Sequence, residues 1–250
     1  MIIWITGASS GLGREVARQY AAAGHTVCVS ARGREALESL ADECRGEPGS
    51  IAVFPLDVTE PDGARACLDA ILSQVGLPQL SIFNAGTHIP NPVTRIDSSI
   101  DRKLMDVNYI GTVVCLEAIV PAYIEAGSGK IAVVSSVAGY RGLPNASAYG
   151  ASKAALINMC EALQPELKAL GVDLALINPG FVRTPLTDKN EFPMPFLMEV
   201  DKAAERVVDG LAGNRFEITF PRRFTWMLKV MRILPIGLYL RMTKNLLKIS

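Results

Sequence analysis

Short apolar runs recur along the chain near 2–6, 26–30, 51–55, 80–83, 130–135, 172–177 and 216–220. Longer stretches with apolar residues at helical spacing lie between them, at roughly 12–23, 33–44, 61–75, 98–126, 148–170 and 200–212. Ile2-Ile3-Trp4-Ile5 is apolar at every position rather than at alternate ones. That is the mark of a strand covered on both faces. Strand alternating with helix predicts a parallel sheet of about seven strands between two helical layers, wound by right-handed crossovers into a doubly wound α/β fold. Ligands of such sheets bind beyond the carboxyl ends of the strands. Residues that follow a strand are therefore the ones to read for chemistry.

With 250 residues, 49% of them hydrophobic, the expectation is one domain with a sizeable core. It should occupy residues 1–220, with 221–250 as an extension of it. A formal net charge of +0 gives no general reason to expect nucleic acid. Cys28, Cys44, Cys67, Cys115 and Cys160 are scattered, and His25 and His88 are the only histidines, so no metal site is expected. Isolated thiols fit a reducing, cytoplasmic setting. Met1 leads directly into the first strand without a charged leader and apolar segment, so no signal peptide is expected.

Two motifs suggest chemistry. The first strand is followed by Thr6-Gly7-Ala8-Ser9-Ser10-Gly11-Leu12-Gly13 and then a helical pattern. Strand, glycine turn and helix form the setting of a dinucleotide site. The glycines let backbone approach phosphate, and the helix N-terminus offers unpaired N–H groups and a favourable dipole. The spacing is Gly-x-x-x-Gly-x-Gly, not the commoner Gly-x-Gly-x-x-Gly. Far downstream, Tyr149 and Lys153 stand four residues apart and so share a helix face. A free tyrosine has a pKa of about 10, and a neighbouring ammonium lowers it. Such a tyrosine can give a proton to a carbonyl oxygen or take one from an alcohol.

With these motifs the chain resembles the short-chain dehydrogenase/reductase family in its compact, one-domain branch, over roughly residues 1–220. The cofactor turn supplies Gly7, Ser9, Ser10, Gly11, Leu12 and Gly13. Asp57-Val58 match a pair that meets the adenine, and Asn84-Ala85-Gly86 match the segment after the fourth strand. Asn178-Pro179-Gly180, with Val182 and Thr184, match the segment at the nicotinamide. Asn108, the Ser135-Ser136-Val137-Ala138-Gly139 segment, Tyr149 and Lys153 match the catalytic tetrad. Ser135 and Ser136 both qualify from the residues alone; the family pattern places the serine thirteen residues before the tyrosine, which selects Ser136. Phe83 departs from the pattern, standing where a second asparagine is common. The resemblance implies a three-layer Rossmann fold and hydride transfer between NAD(P) and a carbonyl or alcohol. It assigns Tyr149 as general acid or base and Lys153 as the group that lowers its pKa and bonds the nicotinamide ribose. Ser136 would donate to the substrate oxygen, and Asn108 would hold a water linking Lys153 to solvent. It also implies a homodimer or homotetramer paired through the helices near 98–126 and 148–170.

The second strand ends in Ala31-Arg32, where an NAD site usually places Asp or Glu for the ribose 2′-hydroxyl. A guanidinium suits a 2′-phosphate, so NADP(H) is favoured over NAD(H), with Arg14 a weaker second cation. NADPH in turn favours carbonyl reduction. The rival reading is an NADP(H)-binding redox sensor with little turnover. A sugar-nucleotide epimerase of the extended branch is disfavoured by the glycine spacing and the lack of a larger substrate domain.

The substrate end carries less signal. Residues 185–199, with three prolines and Met194, Phe196, Leu197 and Met198, read as an apolar lid. Gly142-Leu143-Pro144-Asn145 and Thr87-His88-Ile89 are candidates for the opposite wall. From Ile218 to Ser250 there is no acidic residue, whereas seven basic ones are interleaved with large apolar side chains, leaving 18 basic against 25 acidic residues elsewhere. Arg232 and Arg241 are too close together for a membrane span, and Pro235-Ile236-Gly237 interrupt a helix. Two readings stand: packing on protein, which is favoured, or peripheral contact with an anionic membrane. The second would suit a hydrophobic carbonyl substrate.

Overall fold

The computed structural model describes residues 1–189 and 194–244, without the side chains of Arg95 and Lys189. Seven strands form one sheet: β1 (Ile2–Thr6), β2 (Thr26–Ser30), β3 (Ser50–Val53), β4 (Leu80–Phe83), β5 (Gly129–Val134), β6 (Val172–Pro179) and β7 (Glu217–Phe220). Their order is β3-β2-β1-β4-β5-β6-β7, and every neighbouring pair is parallel. The chain moves outward from β1 to β3, then returns to the other side of β1 with β4. The reversal between β1 and β4 is the switch point at which a doubly wound sheet leaves a crevice.

Alternate strand residues feed two cores. Ile3, Ile5, Val27 and Val29 pack under α1 (Gly11–Ala22), α2 (Arg34–Glu43) and α7 (Val200–Ala212). Trp4, Cys28, Phe83 and Ile131 face α3 (Gly63–Gln74), α5 (Gly111–Ala126) and α6 (Ser147–Ala169). The apolar runs thus have their predicted cause: both faces are covered. Phe83 is one of these packing residues, with its ring edge-on to Trp4 at 5.6 Å between centroids.

Two boundaries differ from expectation. β3 ends at Val53 rather than 55, although the Phe54 and Leu56 N–H groups still donate to Val29 and Ala31. Pro55 lies between them, where an N–H would face the open edge of the sheet, so its lack of a donor costs the ladder nothing. The expected helix over 98–126 is α4 (Ser98–Met105), a π turn (Asp106–Ile110) and α5. The run Ser98–Ala126 is apolar enough to cross a membrane by composition, but Leu104, Leu116, Ile119 and Tyr123 from it are core residues. All five cysteines are buried and unpaired.

After β7 the chain forms α8 (Arg222–Ile233) and α9 (Ile236–Lys244), broken at Leu234-Pro235. Phe224 and Leu228 of α8 join the core beneath α3, α5 and α6.

Candidate active site

A cleft of about 1040 Å³ opens at the carboxyl ends of the central strands. Its near end is built by backbone. Gly7 has a φ of +69°, and a Cβ there would fall 2.7 Å from Ala85 Cα. The turn after β1 and the Asn84-Ala85 segment after β4 are thus closely packed against each other. The Thr6 hydroxyl accepts from both the Asn84 and Ala85 N–H groups. The Asn84 amide donates to the Thr6 and Gly7 carbonyls at 3.3 and 3.1 Å. Gly13 sits behind this junction, where a Cβ would overlap the Gly7 carbonyl. The first turn of α1 has no acidic residue, and Ser10 caps none of its N–H groups with its side chain. Those donors face the cleft through Ser10, Gly11 and Leu12, an arrangement suited to a phosphate.

Arg32 and Ala31 line the same wall at the end of β2, with Asp57 and Val58 after β3. Asp57 is not free to bond a ligand with every oxygen: its Oδ1 accepts from the Thr59 N–H and hydroxyl at 3.0 and 2.7 Å. The Thr59 backbone bond, with smaller help from Arg32, holds its carboxyl below the ordinary range. Arg14 is elsewhere. Its guanidinium ties α1 to α2 through the Ala36 carbonyl and Glu43, which corrects the expectation of Arg14 as a second cation for the phosphate.

At the far end, α6 carries Tyr149 and Lys153 into the cleft, and β5 delivers Ser135 and Ser136. The two serines differ. Ser135 is buried and donates to the Lys153 backbone carbonyl at 2.8 Å, so it fixes α6. Ser136 is within hydrogen-bonding reach of the Tyr149 hydroxyl, and its Oγ also accepts from the Ala138 N–H. Lys153 is buried, donates to the Val134 carbonyl at 3.0 Å and lies 5.8 Å from the Tyr149 ring centre. Burial pushes the tyrosine pKa up, while the bond with Ser136 opposes that. Burial lowers that of Lys153 to about 8. The expected depression of Tyr149 by the ammonium is therefore not the dominant effect; desolvation is. The His88 ring stands edge-on to Tyr149 at 5.0 Å.

Asn108 is fully buried within the π turn and does not line the cleft. Its Oδ1 accepts from the Thr87 N–H at 2.7 Å, and its Nδ2 donates to the Thr87 carbonyl and to Ser152 Oγ. Ser152 in turn donates to the Tyr149 carbonyl. The side chain therefore fastens the loop after β4 to α6.

Gly86, Pro179, Gly180, Val182 and Thr184 all line the cleft. Of the expected lid, Pro185, Leu186 and Thr187 line it, whereas Asn190, Glu191, Phe192 and Pro193 lie outside the described residues. The returning limb is pinned to the body, since Met198 and Phe181–Arg183 exchange backbone bonds at 2.9 Å. Gly142-Leu143-Pro144-Asn145 do not line this cleft. Among lining residues, Ala36, Leu56, Lys103 and Val107 escaped the sequence reading. Lys103 and Val107 are four apart on the helical run leading to Asn108, a spacing that could have flagged them. No group of three or more His, Cys, Asp or Glu side chains converges among the described residues.

The fold and the Ser136–Tyr149–Lys153 grouping define a doubly wound α/β oxidoreductase. Residues 1–193 match the model of the short chain dehydrogenase family. An uncharacterized oxidoreductase of Myxococcus xanthus is 36% identical over 94% of this chain and 93% of its own. The dehydrogenase/reductase SDR family member 7B of Mus musculus is 33% identical over 74% of this chain; the matched part spans 59% of that relative's length. A solved short-chain type dehydrogenase/reductase from Mycobacterium ulcerans superposes with a TM-score of 0.78 at 26% identity, covering 87% of this chain and 86% of that one. A short-chain dehydrogenase from Sphingobium yanoikuyae in complex with NADPH has a TM-score of 0.82 over 100% of this chain and 97% of its own, at 23% identity a likeness of fold alone. The chain belongs to the short-chain dehydrogenase/reductase family and is an oxidoreductase.

Proposed function

We propose that this protein reduces a hydrophobic ketone or aldehyde to an alcohol with NADPH. One observation carries the reading: a half-buried Tyr149 shares the end of the cleft with Ser136 and Lys153. The cofactor supplies a hydride to the carbonyl carbon when bound. Gly7, Ser9, Ser10, Gly11, Leu12 and Gly13 form its pyrophosphate turn, and Asn84, Ala85 and Gly86 continue that wall. Asp57 and Val58 would meet the adenine, and Pro179, Gly180, Val182 and Thr184 the nicotinamide. Arg32 stands where a 2′-phosphate would be read, and Ala31 replaces the acid that usually ends β2 in an NAD site, which favours NADP(H) over NAD(H). Ser136 Oγ donates to the substrate oxygen and orients it, and Tyr149 gives that oxygen its proton as charge develops. Lys153 bonds the ribose and keeps a positive charge near the phenol so that the proton leaves readily. Asn108 holds the π turn, Thr87 and α6 in register around the tyrosine.

The working unit is one domain over 1–220, with 221–250 as its extension, in a cytoplasmic homodimer or homotetramer paired through α4–α5 and α6. The test is NADPH oxidation followed by absorbance across small aldehydes, diketones, quinones, steroids and long-chain ketones. Tyr149→Phe should lower the rate by roughly 10²–10⁴-fold while NADPH still binds. Undiminished turnover in that variant would overturn the assignment, and tight NADPH binding with no carbonyl reduced would favour a redox sensor.

A further inference from the structure

The sequence of α8 is apolar on two opposite sides, and only one of them is used. Phe224 and Leu228 enter the core, whereas Trp226 and Ile233 point away and are 71% and 81% exposed. On α9, Tyr239 is buried while Ile236 and Leu240 are 62% and 57% exposed. Eight of the sixteen exposed large hydrophobic side chains among the described residues fall between 226 and 242. A helix with two apolar faces has two partners, and an apolar patch of this kind marks a contact surface.

Charge decides what the second partner is. Arg222, Arg223, Arg232, Arg241 and Lys244 surround the patch, and no salt bridge engages them among the described residues. Residues 218–244 contain no acid, while the rest of the chain carries an acidic excess. Two copies meeting through this face would bring the same cations together, which disfavours self-association. A partner has to be apolar beneath and anionic above, which is the chemistry of an acidic lipid headgroup layer over acyl chains.

The hairpin is also held firmly enough to act as a platform. The Arg141 guanidinium donates to the Met231, Arg232 and Leu234 carbonyls and stacks 4.0 Å over the Tyr239 ring. Tyr239 donates to the Gly142 carbonyl at 2.6 Å. Lys229 pairs with Glu217, which also accepts from Tyr140 and Asn178. The Phe196 ring lies 5.8 Å from that of Phe224. The hairpin is thus fastened to the loop that follows Ser136 and touches the returning limb of the expected lid.

We propose that the outer face of α8–α9 docks this protein on the surface of an anionic bilayer, with Trp226, Ile233, Ile236 and Leu240 entering the interface. The experiment is cosedimentation of the full chain with vesicles of phosphatidylcholine alone and of phosphatidylcholine mixed with phosphatidylglycerol. Binding is expected only with phosphatidylglycerol and should weaken with salt. Trp226 fluorescence should shift to the blue on binding, since the other tryptophan, Trp4, is already fully buried. Trp226→Ser with Ile233→Ser should reduce partition by at least about tenfold. Each exchange of Arg222, Arg223 or Arg232 for Gln should reduce it by roughly fivefold. All these variants should keep NADPH affinity and melting temperature, because the altered side chains are solvent-exposed. The inference is overturned by no binding to the phosphatidylglycerol vesicles at low ionic strength, or by equal binding of the Trp226/Ile233 double variant. Lipid-free self-association that the double variant abolishes would assign the face to a second copy and overturn it as well. None of these readings depends on turnover, so failure here and failure of the reductase reading are separate results.

Discussion

The two ends of this molecule recognise their surroundings by different means. At the phosphate end, backbone does the work: the Gly7 turn, the uncapped N-terminus of α1 and the Asn84 brace leave little for side chains to decide. At the substrate and tail end, exposed side chains such as Phe196, Trp226 and Ile233 carry the character of the surface. Backbone recognition demands a few residue types at fixed positions, whereas a side-chain surface can be made in many ways. The first end should therefore be brittle to substitution and the second tolerant.

The largest effect should follow Gly7→Val. A β-branched residue is poorly suited to a φ of +69°, and its Cβ would fall 2.7 Å from the Ala85 backbone. The expected loss exceeds about 4 kcal/mol in denaturant unfolding, with NADPH binding abolished. Leu240→Gln, at a 57% exposed position, should change stability by less than about 0.5 kcal/mol. Similar costs at the two positions would break the contrast.

Lys153 provides an intermediate effect, through pH. Burial depresses its pKa to about 8 from an ordinary value of 10.5. Between those values the unfolded chain binds the proton that the folded chain has lost, so stability from this group rises with pH across that window. Below pH 8 the folded state bears the full cost of the buried ammonium, on the order of 3 kcal/mol. Cofactor-free protein should therefore gain stability relative to Lys153→Met between pH 8 and 10.5, measured by denaturant unfolding. A difference independent of pH would show that the ammonium is well solvated.

The same contrast explains what the sequence made legible. The parallel sheet of about seven strands followed from uniform apolar runs, and the cleft residues from the glycine turn, the Tyr149–Lys153 pair and the family pattern, because covering both sheet faces and cradling phosphate constrain composition. Gly13 and Asn108 were marked by the family pattern; that Gly13 packs against the Gly7 carbonyl and that the Asn108 side chain braces Thr87 and α6 needs the third dimension. The π turn around Asn108 arises from backbone hydrogen bonding that side-chain periodicity does not encode. Tyr149's raised pKa likewise could not be read from a four-residue spacing, since desolvation depends on everything packed around the ring. Arg141 gave no signal at all: its partners are three carbonyls some ninety residues downstream.

A smaller effect than at Gly7 or Lys153 is expected at Arg32, and it tests whether side chains add anything at the phosphate end. Arg32 is solvent-exposed on the cleft wall, so water screens it and its bond to a 2′-phosphate contributes less than a buried one would. Arg32→Ala should weaken NADPH binding by about tenfold, corresponding to about 1.4 kcal/mol, and leave NADH binding unchanged. Titration of both cofactors by fluorescence measures this directly. Equal losses would mean that Arg32 shapes the turn after β2 instead of reading the phosphate. No loss for either would leave cofactor recognition entirely to backbone, making the contrast between the two ends sharper than the one drawn above.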